Sequence, residues 1–260
     1  MLDSRVISIV NQKGGVGKTT TSVNLSTALA AIKKNILLID LDPQGNLSTG
    51  LGIKYEDREN SVYDLIMRED TLIEETSITT KIPGLDIIPS SFNLSGIEFE
   101  LANENDRNKR LLKKLAQLEK KYDFVIIDCP PSLGILTVNS LVASRSIIVP
   151  LQCEFYALEG LAQLLRSVEL VKKNLNPNLT VQGIVLTMFD SRNNLSEMVV
   201  SDVKEHFGKQ VYKTIIPRNV RISEAPSFGQ PVLMYDINCA GSRAYTSLAA
   251  ELLKQENVAL

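Results

Sequence analysis

The chain has one histidine and three cysteines in 260 residues, and each scarcity removes a class of function. Cys129, Cys153 and Cys239 stand far apart with no C-x-x-C pair, so neither a disulfide framework nor a zinc site is indicated and a reducing cytoplasm fits. His206 lies in a polar stretch with no serine or cysteine motif to serve, which excludes a hydrolase triad and leaves a surface histidine. No apolar run approaches the roughly 18 residues a membrane span needs. Nor does a basic segment lead into a long apolar one near Met1, so a soluble protein without a targeting segment is expected. An excess of either charge is also missing: 28 Lys+Arg face 30 Asp+Glu, a net −2. Any hold on nucleic acid must therefore come from a local basic patch. No repeat, linker or low-complexity tract divides the chain. With 44% apolar residues, residues 1–260 are expected to bury the core of a single α/β domain.

What is present begins with Val6-Ile7-Ser8-Ile9-Val10, an apolar run that feeds Lys13-Gly14-Gly15-Val16-Gly17-Lys18-Thr19-Thr20 and then a helical stretch to Ala31. A strand, a glycine-rich turn and a helix place unpaired backbone N–H groups and the positive end of a helix dipole around one small concavity. That concavity suits a triphosphate. Glycines admit the oxygens, Lys18 reaches the β- and γ-phosphates, and the Thr19 hydroxyl takes one position on Mg²⁺. The strict spelling of the phosphate loop puts a glycine five residues before Gly17, where this chain has Gln12, and a second lysine, Lys13, opens the loop instead.

Two further apolar runs end in acids. Asn35 to Asp40 and Tyr122 to Asp128 read as buried parallel strands, the first followed by Leu41-Asp42-Pro43-Gln44-Gly45-Asn46 and the second by Cys129-Pro130-Pro131. In open α/β sheets ligands sit at the carboxyl ends of the strands, so Asp40, Asp42 and Asp128 are expected to face the phosphate loop. Asp128 has the form of a Walker B aspartate holding Mg²⁺ through a water. Capping of the next turn competes for Asp40. Further on, Ser146 to Pro150 and Val181 to Leu186 read as strands, with Leu158, Leu161, Leu165 and Val168 on one helical face between them. Such alternation predicts a mostly parallel sheet with helices on both faces. Leu111, Leu115 and Leu118 suggest one core-facing helix, and the charged stretch 103–114 a solvated face. Tyr245, Leu248, Ala249 and Leu252 share a face that would pack on a core.

With Lys13 in place, the loop resembles the deviant Walker, or signature-lysine, branch of P-loop NTPases, which includes ParA, MinD, the nitrogenase iron protein and the iron–sulfur carrier ATPases. The segments Thr187 to Leu195 and Ile216 to Ser227 are similar to ParA/Soj partitioning ATPases nearly residue for residue, and the likeness runs from Val6 to about Leu253. The resemblance implies an ATPase with ATP and Mg²⁺ as cofactors, the absence of an N-K-x-D signature favouring ATP over GTP. It implies that Lys13 reaches the phosphates of a second subunit, that Asp42 positions the attacking water with Lys18, and that Asp40 lies close to the metal. Pro217 and Asn219 would line the adenine pocket. Arg192 and Arg221 would contact DNA, with Arg218 and Lys204 as further candidates. Residues 192–221 carry six bases against three acids, a small excess that a dimer would double on one rigid body. The implied cycle is an ATP-bridged homodimer on nucleoid DNA, bound without sequence specificity and released when a ParB-like partner stimulates hydrolysis. A MinD-like membrane-associated ATPase is the alternative, disfavoured by the few bases near Tyr245 to Leu252. Iron–sulfur relatives would need cysteines this chain lacks, and an amidoligase a substrate pocket the sequence does not show. No helix-turn-helix segment precedes Val6, as expected of a small ParA that leaves operator recognition to others.

Overall fold

The computed structural model describes residues 4–258. Among them, the apolar runs form eight strands: β1 (Arg5–Ile9), β2 (Ile36–Asp40), β3 (Ile78–Thr79), β4 (Leu85–Ile88), β5 (Phe124–Asp128), β6 (Ser146–Gln152), β7 (Thr180–Phe189) and β8 (Val211–Pro217). They make one sheet in the order β3-β4-β2-β5-β1-β6-β7-β8. The β3–β4 pair is antiparallel and the others are parallel. Every residue of β2 and β5 is buried, as strands covered on both faces require.

Helices supply that cover. The main ones are α1 (Lys18–Ala31), α2 (Asn46–Gly50), α3 (Arg110–Leu115), α4 (Ile135–Ala143), α5 (Ala157–Asn174), α6 (Asn194–Phe207), α7 (Val220–Glu224) and α8 (Ala240–Gln255). Because side chains alternate along a strand, Ile7, Ile9, Leu38, Phe124 and Ile126 meet Leu25 and Leu29 of α1 and Tyr245, Leu248 and Leu252 of α8. Val6, Leu37, Ile39, Val125 and Ile127 face the other way, toward Leu141 of α4, Leu161 and Leu164 of α5 and Val199 and Val203 of α6. The expected α/β sandwich and the core-facing side of α8 are both present. On α5 the buried stripe runs through Leu161, Leu164 and Val168, with Leu158 and Leu165 at its half-buried margins.

One expectation holds only in part between β4 and β5, since residues 103–110 are exposed or half-exposed but the end of that stretch is not. Residues 103–114 are not simply a solvated face: Lys114 is buried, and its Nζ donates to the carbonyls of Arg68, Glu69 and Thr71 at 2.7 Å each. The ammonium replaces three waters with three backbone acceptors, which is what allows the burial. Helix α3 is also shorter than the leucine spacing suggests, since Leu118 lies beyond its end.

Strand order sets up the site. With β5 between β1 and β2, Asp128 is level with Ile9 on one side and with Asp40 on the other. The phosphate loop and two acids therefore share one carboxyl edge.

Candidate functional site

The loop after β1 is pinned from three directions. Asn11 Nδ2 donates to Pro150 O at 2.8 Å while its Oδ1 accepts from the Lys13 amide at 3.0 Å. Thr187 Oγ1, at the end of β7, donates to Val16 O at 2.8 Å. Gly15 and Gly17 take φ values of 77° and 90°, a region L side chains avoid, so the turn needs glycine there. It leads directly into α1, whose first amides have no intrahelical partner.

Lys18 and Thr19 open that helix. Lys18 is buried, with Nζ donating to Lys13 O at 2.9 Å. Burial lowers its pKa, opposed by its neighbours Asp128, Cys129 and Asp42. Thr19 Oγ1 donates to Asp128 Oδ2 at 2.7 Å, and Ser22 Oγ, on the same helix face, to Asp128 Oδ1 at 2.9 Å. Despite these donors, burial followed by the neighbouring Asp40 pushes the Asp128 carboxyl up to about 7. Asp40, fully buried, is pushed up to about 6 by burial. Its Oδ2 accepts from Ser48 Oγ at 2.6 Å and Ser48 N at 2.9 Å, and its Oδ1 from Asp42 N at 3.3 Å. Asp40 thus faces the loop after β2 and secures the start of α2. Asp42 follows on that loop, with Oδ1 accepting from Gln44 N at 3.0 Å and its own carbonyl accepting from Ser90 Oγ at 2.5 Å.

These groups border a cavity of about 670 Å³, lined by Gly14, Gly15, Gly17, Lys18, Thr19, Thr20 and Asp42 on one side and by Met188, Ile222, Pro226 and Val232 on another. Its size suits a small organic ligand. Pro217 and Asn219 are not on this lining: Pro217 ends β8, and Asn219 caps α7 by accepting from Arg221 N at 2.9 Å.

Lys13 does not turn into the cavity. Its side chain is half exposed and pairs with Glu154, on the loop after β6. The expected nucleic-acid bases also lie at the surface, but two are already paired. Arg192 holds Asp190 through two bonds of 2.9 and 2.8 Å, keeping that carboxyl at about 2. Arg221 pairs with Glu224 at 3.0 Å and Asp236 at 3.5 Å. Arg218 and Lys204 are exposed and make no ion pair among the described residues. Cys129 is a buried thiol beside Ser140 Oγ at 2.9 Å, pushed up to about 12 by burial.

Further residues hold the site: Asn11, Ser22, Ser48, Ser90 and Glu154, which no motif marks, and Thr187, which opens one of the two family-like segments. Of the first five, only Ser22 carried a usable signal, being three residues after Thr19 and so on its face.

Among known proteins, a family model described as an AAA domain matches residues 4–181. A chromosome partitioning protein ParA from Caulobacter vibrioides is 56% identical over 97% of this chain and 95% of its own. The sporulation initiation inhibitor protein Soj of Bacillus subtilis is 52% identical over 95% of this chain and 98% of its own. A solved structure called cobyrinic acid a,c-diamide synthase, from Mycobacterium smegmatis with an ATP analogue and magnesium, superposes with a TM-score of 0.85. It is 36% identical and covers 98% of this chain and 96% of its own.

Proposed function

This chain belongs to the ParA/Soj family of P-loop partitioning ATPases, and on that premise we propose that it is a single ATPase domain that binds Mg-ATP, pairs face to face with a second copy and grips DNA as the pair. The observation that carries the proposal is the direction of Lys13. A lysine serving its own phosphates would turn into its own cavity, whereas this one points outward to Glu154. From there, on leaving Glu154, it would reach a triphosphate held by the other subunit.

In each subunit the amides of Gly14 to Thr20 cradle the phosphate chain. Lys18 exchanges Lys13 O for phosphate oxygens. Among the described residues no group of three or more His, Cys, Asp or Glu side chains could hold a metal alone. Thr19 and Asp128 nevertheless offer hard oxygen donors, and burial followed by the neighbouring Asp40 raises the Asp128 carboxyl although Lys18 stands nearby, a burden that a divalent cation completed by phosphates would relieve. When bound there, magnesium would neutralise charge developing on the transferred phosphoryl group. Asp42 lines the cavity beyond Lys18 and would orient the attacking water, while Asp40 acts through Ser48 to hold the Asp42 loop. DNA would be held through phosphates and without base information, and a ParB-like partner would accelerate hydrolysis and release on the nucleoid. The M. smegmatis synthase has a different activity in its name, but this chain is nearer to the partitioning proteins, at 56% and 52% against 36%. A MinD-like membrane role is disfavoured because the apolar face of α8 is covered by the core.

Sedimentation with ATP and Mg²⁺, with and without DNA, tests the cycle. The wild type should dimerise, Lys13→Ala should stay monomeric, and Asp42→Ala should remain a dimer on DNA. A wild type that stays monomeric at saturating nucleotide refutes the proposal.

A further inference from the structure

A second concavity, of about 1250 Å³, lies where the amino end of β8 meets the last turns of α6 and α8. Lys204, Lys209, Lys213 and Lys254 line it, together with the apolar Val211, Ala250 and Val258. All four lysines are exposed, and none makes an ion pair among the described residues. The one acid in the groove, Glu251, is turned onto the backbone: it accepts from Lys213 N at 2.7 Å, Thr214 N at 3.0 Å and Thr214 Oγ1 at 2.9 Å. Four cations therefore face one carboxylate.

The contrast with the opposite end of β8 is informative. There Arg192 and Arg221 each hold an acid already, and contact with phosphate would require breaking those pairs. In the lysine groove no such cost arises. Cations gathered in a concavity with an apolar floor repel one another and focus a positive field outward, which a polyanion relieves with release of counterions. Lysine is a compact point charge that meets phosphate without demanding a particular orientation.

We propose that this groove is a second nucleic-acid contact, taking the phosphodiester backbone of duplex DNA; it rests on the DNA-binding reading given above but not on the arginines that reading used. The seven residues of β8 separate it from Arg218 by roughly 20 Å. One protomer thus offers the duplex two separate footholds.

Two measurements test this on the full chain with ATP and Mg²⁺. The first is amine-reactive labelling of the wild type: a random-sequence duplex should protect Lys204, Lys209, Lys213 and Lys254 at least several-fold relative to Lys173 on α5. The second is the salt dependence of DNA affinity in the triple variant Lys209→Gln, Lys213→Gln, Lys254→Gln, its fold checked by circular dichroism. With about 0.9 lost per phosphate contact, the log–log slope should fall by about two to three. Labelling and slope both unchanged by DNA and by the variant, with wild-type DNA binding intact, overturn the groove and leave the DNA reading standing. Protection by polyglutamate but not by duplex also overturns it, in favour of an acidic polypeptide. A wild type that binds no DNA at all removes the parent reading, and the groove falls with it.

Discussion

Replacing Asp128 by asparagine should stabilise the nucleotide-free protein while abolishing its use of Mg-ATP. Asp128 is fully buried beside Asp40, and its carboxyl rises from the ordinary 3.8 to about 7. The folded state therefore holds a proton that the unfolded chain has lost between those values. Stability falls as pH rises through that window and is flat above about 7. At pH 8 the full penalty stands, and a rise of that size corresponds to about 4 kcal/mol. Asparagine keeps the shape, with Oδ1 accepting from one of the Thr19 and Ser22 hydroxyls and Nδ2 donating to the other. Because Asp40 shares the penalty, the expected gain is about 2–4 kcal/mol, or about 5–10 °C in Tm for a chain of this length. At pH 5, where wild-type Asp128 is mostly neutral, less than half of the gain should remain. Differential scanning calorimetry in a chelator at both pH values reads this directly. Adding Mg-ATP should then raise the wild-type Tm through linkage and leave the variant unmoved. An Asp128→Asn protein that melts below the wild type at pH 8, or shifts equally at both pH values, would falsify the reasoning.

Glu154→Ala should free Lys13 without affecting the fold. The pair is half exposed, so the change in stability should stay below about 1 kcal/mol, while ATP-dependent dimers form at lower protein concentration in sedimentation; a weaker dimer would show that Glu154 contributes more than a resting place. Lys114→Met should cost about 2–4 kcal/mol in urea unfolding, because three backbone carbonyls lose a charged donor. A loss under about 0.5 kcal/mol would mean that water replaces the ammonium freely.

The legible parts of this protein are those written locally. An apolar run ending in an acid is a strand that delivers the acid to the sheet edge, and β2 and β5 do so with Asp40 and Asp128. Glycines at 15 and 17 betray the turn by their backbone demands. Contacts across long stretches of chain had no such signature. Thr187 steadies Val16 from 171 residues away, Ser90 holds the Asp42 carbonyl from 48, and Lys114 crosses 43 to reach Thr71. The surface arginines illustrate a different difficulty. Asp190 is only two residues from Arg192, but counting charges over a window does not show which bases are already paired. The cavity wall at Met188, Ile222 and Pro226 falls inside the segments 187–195 and 216–227 that carry the family likeness, although no local pattern marks those three side chains as a wall.

Strand β5 is inserted between β1 and β2 although it is made long after both. A nascent chain emerging from the ribosome thus completes its glycine turn and first helix early, yet those two strands stay apart until Phe124–Asp128 arrives to join them. Asp128 is the last of the three acids to be synthesised, and the cavity wall at Met188 and Ile222 comes later still, so the candidate site is completed only in the second half of translation. Until then the unfinished polypeptide leaves both edges of β1 and the inner edge of β2 unpaired, edges that invite pairing with other chains.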